Sequence, residues 1–235
     1  MIAHRNMLIL ALATLITLIS TVDAARGDYS GEPSDLVYRS TAVFKGFMAD
    51  ANMDWFRHNL QYAKGILIIP QQLRGGFIIG GSGGSGILVA QDQLSGAWSS
   101  PIFYTLGSVS FGFQVGADAS EIILMIMTER GLQAMLATEF KLGADVAVAA
   151  GPVGASAKAQ TADILAFGRS QGAYGGVSLE GAIINPRDDW NRQYYGKSFT
   201  GVADILLKQT LHNKDDEPLR QLLPKPGPAA RPIGR

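Results

Sequence analysis

The spacing of apolar positions changes along the chain, and each change marks a different kind of element. Met7 to Ile19 is mostly apolar, with His4 and Arg5 before it and Thr21-Val22-Asp23-Ala24 after it. A run of about 13 such residues is short of the roughly 20 needed to cross a bilayer as a helix. Its flanks, with Val22 and Ala24 as the small pair before a cut, predict a signal peptide over residues 1–24. From Pro33 to about Ala63 apolar residues recur at three-to-four spacing: Leu36, Val43 and Phe47, then Trp55, Phe56, Leu60 and Ala63. That period predicts helices, with Ser34 or Asp54 as caps. At Gly65 the pattern becomes continuous, and Gly65-Ile66-Leu67-Ile68-Ile69-Pro70 reads as a buried strand closed by proline.

A glycine-rich centre follows, with 12 of the 28 glycines between Gly65 and Gly116. Short β-branched and aromatic runs follow at Gly76-Phe77-Ile78-Ile79, Gly86-Ile87-Leu88-Val89, Pro101-Ile102-Phe103-Tyr104 and Ser108 to Phe113, and several alternate large with small or polar residues, as strands with one buried face do. Glycine so often inside strands implies strong twist, bulges or close backbone approach. Glu121 to Met127 is a further strand. Thr128 to Thr138 reads as a helix capped by Thr128. Strands are expected at Asp145 to Ala150, Ala162 to Ser170 and Tyr174 to Ile184, and helices at Arg187 to Tyr195 and Gly201 to Leu211. From Pro218 to Arg235 the chain is rich in proline and basic residues and is expected to be a disordered tail. The fold class is α+β: one domain over residues 33–212, with a glycine-rich, strongly curled antiparallel or barrel-like sheet and with N-terminal and inserted helices.

Composition narrows the function. The chain carries 20 basic and 20 acidic residues; without residues 1–24 each count falls by one, through Arg5 and Asp23. A neutral protein is a poor general binder of nucleic acid. The absence of cysteine removes disulfides, zinc-thiolate sites, thiol nucleophiles and a lipid-anchored N-terminal cysteine. The expected location is periplasmic or secreted.

Motifs for catalysis are weak. Gly81-Ser82-Gly83-Gly84-Ser85-Gly86 has dinucleotide-loop spacing, and Gly80-Gly81-Ser82-Gly83-Gly84 has nucleophile-elbow spacing. Both motifs require a following helix, and here the strand-like Ile87-Leu88-Val89 follows. Beyond residue 24 the only histidines are His58 and His212. Asp188 and Asp189 lack an ordered calcium loop, and no metal or cofactor is expected. Glu129 and Glu180, set among apolar strands and glycines, are the candidate acids or bases of an envelope-acting hydrolase. A structural or interaction protein using the proline-rich tail is the other alternative. The first helix, with Leu36, Val43, Phe44, Phe47 and Met48 on one side, fits either a bilayer surface or its own sheet.

Several ordered strings together resemble the SYLF domain family over about Asp35 to Gly196. They are Ala63-Lys64-Gly65-Ile66, Gly75-Gly76-Phe77, Thr128-Glu129-Arg130-Gly131, the run Leu142 to Gly154, Gly175 to Gly181, and Asn191-Arg192-Gln193-Tyr194-Tyr195-Gly196. The resemblance implies a non-enzymatic lipid-binding domain, with phosphoinositides as ligands in eukaryotic members and an actin-binding branch in yeast. It also implies membrane contact through basic residues of the first helix, here Arg39 and Lys45, with Lys64 inside a matching block; Arg74 joins them as a further cation. Ala155 and Gln171 stand where family members often carry arginine and lysine, which removes about 1 kcal/mol each of attraction to an acidic surface. The expected ligand is therefore an envelope lipid. Export makes actin an unlikely native partner, and no nucleic acid is expected.

Overall fold

A computed structural model describes residues 32–76, 79–92, 95–111, 116–153, 162–170, 172–177, 179–206 and 211–225. The expected signal peptide lies outside them.

Helix α1 (Pro33–Ala49) and the short α2 (Asp54–Asn59), joined and followed by 3-10 turns, precede four long strands: β1 (Gly65–Gly76), β2 (Ile79–Ala90), β3 (Ile102–Phe111) and β4 (Gly116–Ile126). Then come α3 (Glu129–Ala134), β5 (Phe140–Lys141), β6 (Val148–Ala150), β7 (Ile164–Ser170), β8 (Ala173–Gly176), β9 (Ile183–Pro186), α4 (Asp188–Tyr195), α5 (Val202–Leu206) and α6 (Glu217–Leu222). The expected helix caps are corrected. Glu32 precedes α1 with Pro33 in the first turn, and Ser34 instead donates to Asp215 Oδ2 at 2.7 Å. Asp54 is the first residue of α2 and pairs with Arg57. Thr128 does cap α3, accepting from Gly131 N at 3.1 Å.

One sheet runs in the order β5-β9-β3-β2-β1-β4-β7-β6, with β8 also on β7. It is antiparallel except for β6 on β7, so the expected curled α+β sheet is mixed at one edge. Its edge strands β5 and β6 are close neighbours in the chain, and the bridge Leu142↔Val146 lies between them. The sheet therefore curls toward a barrel. Of the expected run Gly76 to Ile79, Gly76 ends β1 and Ile79 begins β2, with Gly76 in register with Gly80, and Phe77 and Ile78 lie outside the described residues. The expected strand Tyr174 to Ile184 is split into β8 and β9, with Gly181 at φ +82° between them, a conformation that glycine adopts freely.

The near halves of the long strands are buried on both faces, which is why they read as unbroken apolar runs. One face, with Leu67, Leu88, Tyr104, Leu106, Ile122, Leu124 and Ile164, joins a core with Leu132, Met135, Phe140, Leu179, Ile184 and Ile205. The other carries α1 and α2: Phe56 meets Phe167 edge-on at 5.2 Å and Phe44 at 6.2 Å. Hence the apolar side of α1 packs on its own sheet, with Leu36, Val37, Phe44 and Phe47 fully buried. Pro70 is tolerated inside central β1 because the register to both neighbours shifts there: Ile68↔Ile87 gives way to Gln71↔Ser85, and Ile69↔Ile122 to Gln72↔Ser120. This bulge needs no amide from proline.

The segment expected to be a tail from Pro218 is structured up to its limit of description. Helix α6 continues it, and Leu219 and Leu223 are buried; Trp98 Nε1 donates to Pro224 O at 3.0 Å. The leucines between the prolines supply the apolar area that the composition argument passed over. Residues 226–235 lie outside the described set.

Candidate interaction surface

Beyond the bulge the middle of the sheet thins to glycine and serine at Gly81–Gly84, Gly107 and Ser108. On one face Leu73 sits opposite Gly83 and Ala119, and Gly83 opposite Gly107. A Cβ at Gly81, Gly83 or Gly107 would meet, among the described residues, only a neighbouring strand carbonyl at 3.6 to 3.9 Å, so these positions leave room above the sheet. Leu73 is 37% exposed. On the other face Gln72 Nε2 donates to Ser82 Oγ at 3.0 Å, and the Ser82 and Ser108 hydroxyls lie 2.8 Å apart. Arg74 is in register with Ser82 and is exposed. A low, apolar strip can lie on a flat partner, with Arg74 on the opposite face of the strand; among the described residues of the strip none carries a group able to attack or to transfer a proton.

The expected cations do not converge. Arg39 is ion-paired to Asp35 at 2.9 Å, and Lys45 is exposed six residues further along α1, about 9 Å by helical rise. Lys64 is half-buried at the start of β1, its amide donating to Ile126 O at 2.7 Å. Arg74 is ten residues on, about 33 Å along an extended strand. No single head group spans Lys64 and Arg74.

The catalytic candidates separate as well. Glu129 and Glu180 are both exposed. Glu129 lines a cleft whose other residues are Leu132, Gln133, Leu136 and Leu206, with no nucleophile or second acid. The glycine motif Gly81–Gly86 lies inside β2, where amides serve the sheet ladder rather than a phosphate. Among the described residues no cluster of three or more metal-ligating side chains occurs, and Asp189 pairs with Arg187 at 3.3 Å.

One trio escaped the sequence reading, because Asp216 was assigned to no element. Ser100 Oγ lies 3.2 Å from His212 Nδ1, and Asp216 is in the same cluster. Ser100 and Asp216 are fully buried, and the Asp216 carboxylate faces Arg220 Nε at 3.1 Å. A serine without access to substrate is no nucleophile, so the cluster is structural. Burial raises the Asp216 pKa above the ordinary aspartate value, while Ser100, Arg220 and His212 oppose the rise and Glu217 adds to it. A raised folded-state pKa means that the folded protein binds the proton more tightly than the unfolded chain. The contribution of this one group to stability is then fully present below the unfolded value, near 4, and is lost as pH rises through the folded one. Asp216→Asn, scanned by thermal unfolding, is expected to gain on the parent steadily from pH 4 to pH 7. A gap independent of pH refutes the assignment.

Comparison with known proteins supplies the context. Residues 107–225 match the Ysc84 family, described as "Las17-binding protein actin regulator". LAS seventeen-binding protein 3 of Saccharomyces cerevisiae is 34% identical over 151 residues, which are 60% of this chain and 32% of the yeast protein. SH3 domain-containing YSC84-like protein 1 of Homo sapiens is 30% identical over 172 residues, 71% of this chain and 49% of the human one. The chain thus spans between a third and a half of these relatives. No solved structure matches.

Proposed function

We propose, from the premise that this chain belongs to the Ysc84 (SYLF) family, that it acts by binding rather than by catalysis, and that it binds a lipid surface. The observation that carries this reading is the exposed Leu73, on a face of the sheet where a Cβ at the strip's glycines would meet only strand carbonyls, with Arg74 exposed on the opposite face of the same strand. A bilayer is flat, apolar below its surface and, in bacterial envelopes, anionic. Leucine gains about 1.5–3 kcal/mol on full burial, and a cation near an acidic leaflet about 1 kcal/mol. Lys45 is exposed on α1 and adds charge elsewhere on the molecule. Residues 1–24, read as an export signal, extend the proposal to the cell envelope, where lipid and not actin is the available partner.

Flotation with phosphatidylglycerol–phosphatidylethanolamine vesicles tests it. The parent protein is expected to float at low salt and less at high salt. Leu73→Asp is expected to abolish binding, whereas Arg74→Glu, on the opposite face of the strand, is expected to change it less than about twofold. Both sites are exposed, so folding is kept. Co-sedimentation with actin filaments in place of vesicles overturns the lipid reading and returns the chain to the role in its family's description.

A further inference from the structure

A second feature owes nothing to the sheet strip. Between α3 and α5 lies a half-open cleft of about 400 Å³ lined by Glu129, Leu132, Gln133, Leu136 and Leu206. The size is that of a small-molecule site, for which the usual range is about 300–1,000 Å³. Glu129, Leu132, Gln133 and Leu136 follow one another at helical spacing and so share one side of α3 and of the turn after it. Leu132 and Leu206 are buried and form the floor; Glu129 and Gln133 are exposed at the rim, and Leu136 is 36% exposed beside them. The cleft is therefore greasy below, with one carboxylate and one amide above.

Its electrostatics select the occupant. An ionised carboxylate only accepts hydrogen bonds, and among the described residues no cation lines the cleft to neutralise it. Arg130 is turned away, donating to Asp145 O at 2.9 Å and lying 3.8 Å from Asp163. A hydrocarbon ended by a carboxylate or phosphate would bring like charge to Glu129. One ended by a primary ammonium brings opposite charge and three donors.

We propose that this cleft seats a single aliphatic chain carrying a primary ammonium head, with the chain against Leu132, Leu136 and Leu206 and the head at Glu129. This site is separate from the membrane strip, and either stands if the other falls. Titration calorimetry of the full chain with hexyl-, octyl- and decylammonium, each below its micelle concentration, reads it directly. Binding is expected to be one-to-one and to tighten about fourfold per added methylene until the cleft is full. Decanoate is expected to bind at least about tenfold more weakly than decylammonium. Glu129→Gln is expected to bring the two within about twofold of each other, and Leu136→Asn to weaken every chain length about tenfold. Both positions are exposed, so neither variant threatens folding. Absence of saturable decylammonium binding, equal affinity of the parent for amine and carboxylate, or indifference to either substitution overturns the assignment. Vesicle flotation by Leu136→Asn, expected to equal that of the parent, keeps the two readings distinguishable.

Discussion

Gly86→Ala is expected to destabilise the domain by about 3 kcal/mol, whereas Gly83→Ala, three residues away in the same strand, is expected to stay within about 0.5 kcal/mol of the parent or to exceed it. Both residues lie in β2, and the bulge in β1 separates their fates. The extra backbone at Ile69-Pro70 folds toward β2, so a Cβ on Gly86 would stand 2.5 Å from Ile68 O and 2.7 Å from Ile69 Cγ1. That carbonyl belongs to a central strand paired on both sides, and it cannot withdraw without breaking register. Gly83 has only Leu106 O at 3.8 Å, an ordinary contact, and alanine there narrows the unfolded ensemble at no steric cost. At about 2–4 °C per kcal/mol for a chain of this size, melting points should part by about 6–12 °C. Equal melting of the two variants would mean that the bulge does not reach β2.

That pair also shows how far the chain could be read unaided. Glycine inside strands signalled a bulge, and Pro70 marked its place. Sequence reasoning makes the proline a strand end, because the rule that proline leaves central strands assumes a continuous ladder. β1 therefore came out half its length, and with it went the separation of Lys64 from Arg74. Charge counting names cations but cannot place them; only the twelve residues of β1 put these two at opposite ends. The resemblance blocks were legible as strings, and their physical reasons appear only in three dimensions. Asn191, for instance, is fully buried and its amide completes the ladder of β3, accepting from Phe103 N at 2.9 Å and donating to Phe103 O at 3.3 Å. The cleft beside Glu129 needs α5 brought against α3 from some seventy residues away, a juxtaposition that no local period announces.

Phe56→Ala is expected to cost about 3–5 kcal/mol, lowering the melting point by about 6–20 °C, and to leave vesicle binding per folded molecule unchanged. Phe56 is fully buried where α1 and α2 meet the sheet, its ring 6.1 Å from Phe47 and 5.2 Å from Phe167, also fully buried. Removing it leaves a void that those rings close only in part. The same change loosens α1, the helix whose apolar side would enter a bilayer if it left the sheet. An undocked α1 must give up Phe44, Phe47, Leu36 and Val37 from the interior, at roughly 1.5–3 kcal/mol each, before lipid returns any of it. If α1 were the membrane element, weakening its dock would lower that barrier and raise vesicle binding. If the strip around Leu73 is the element, the dock is irrelevant to binding. Flotation of Phe56→Ala below its melting point decides between them: a rise in bound fraction transfers the membrane role to α1, and an unchanged fraction leaves it with the sheet.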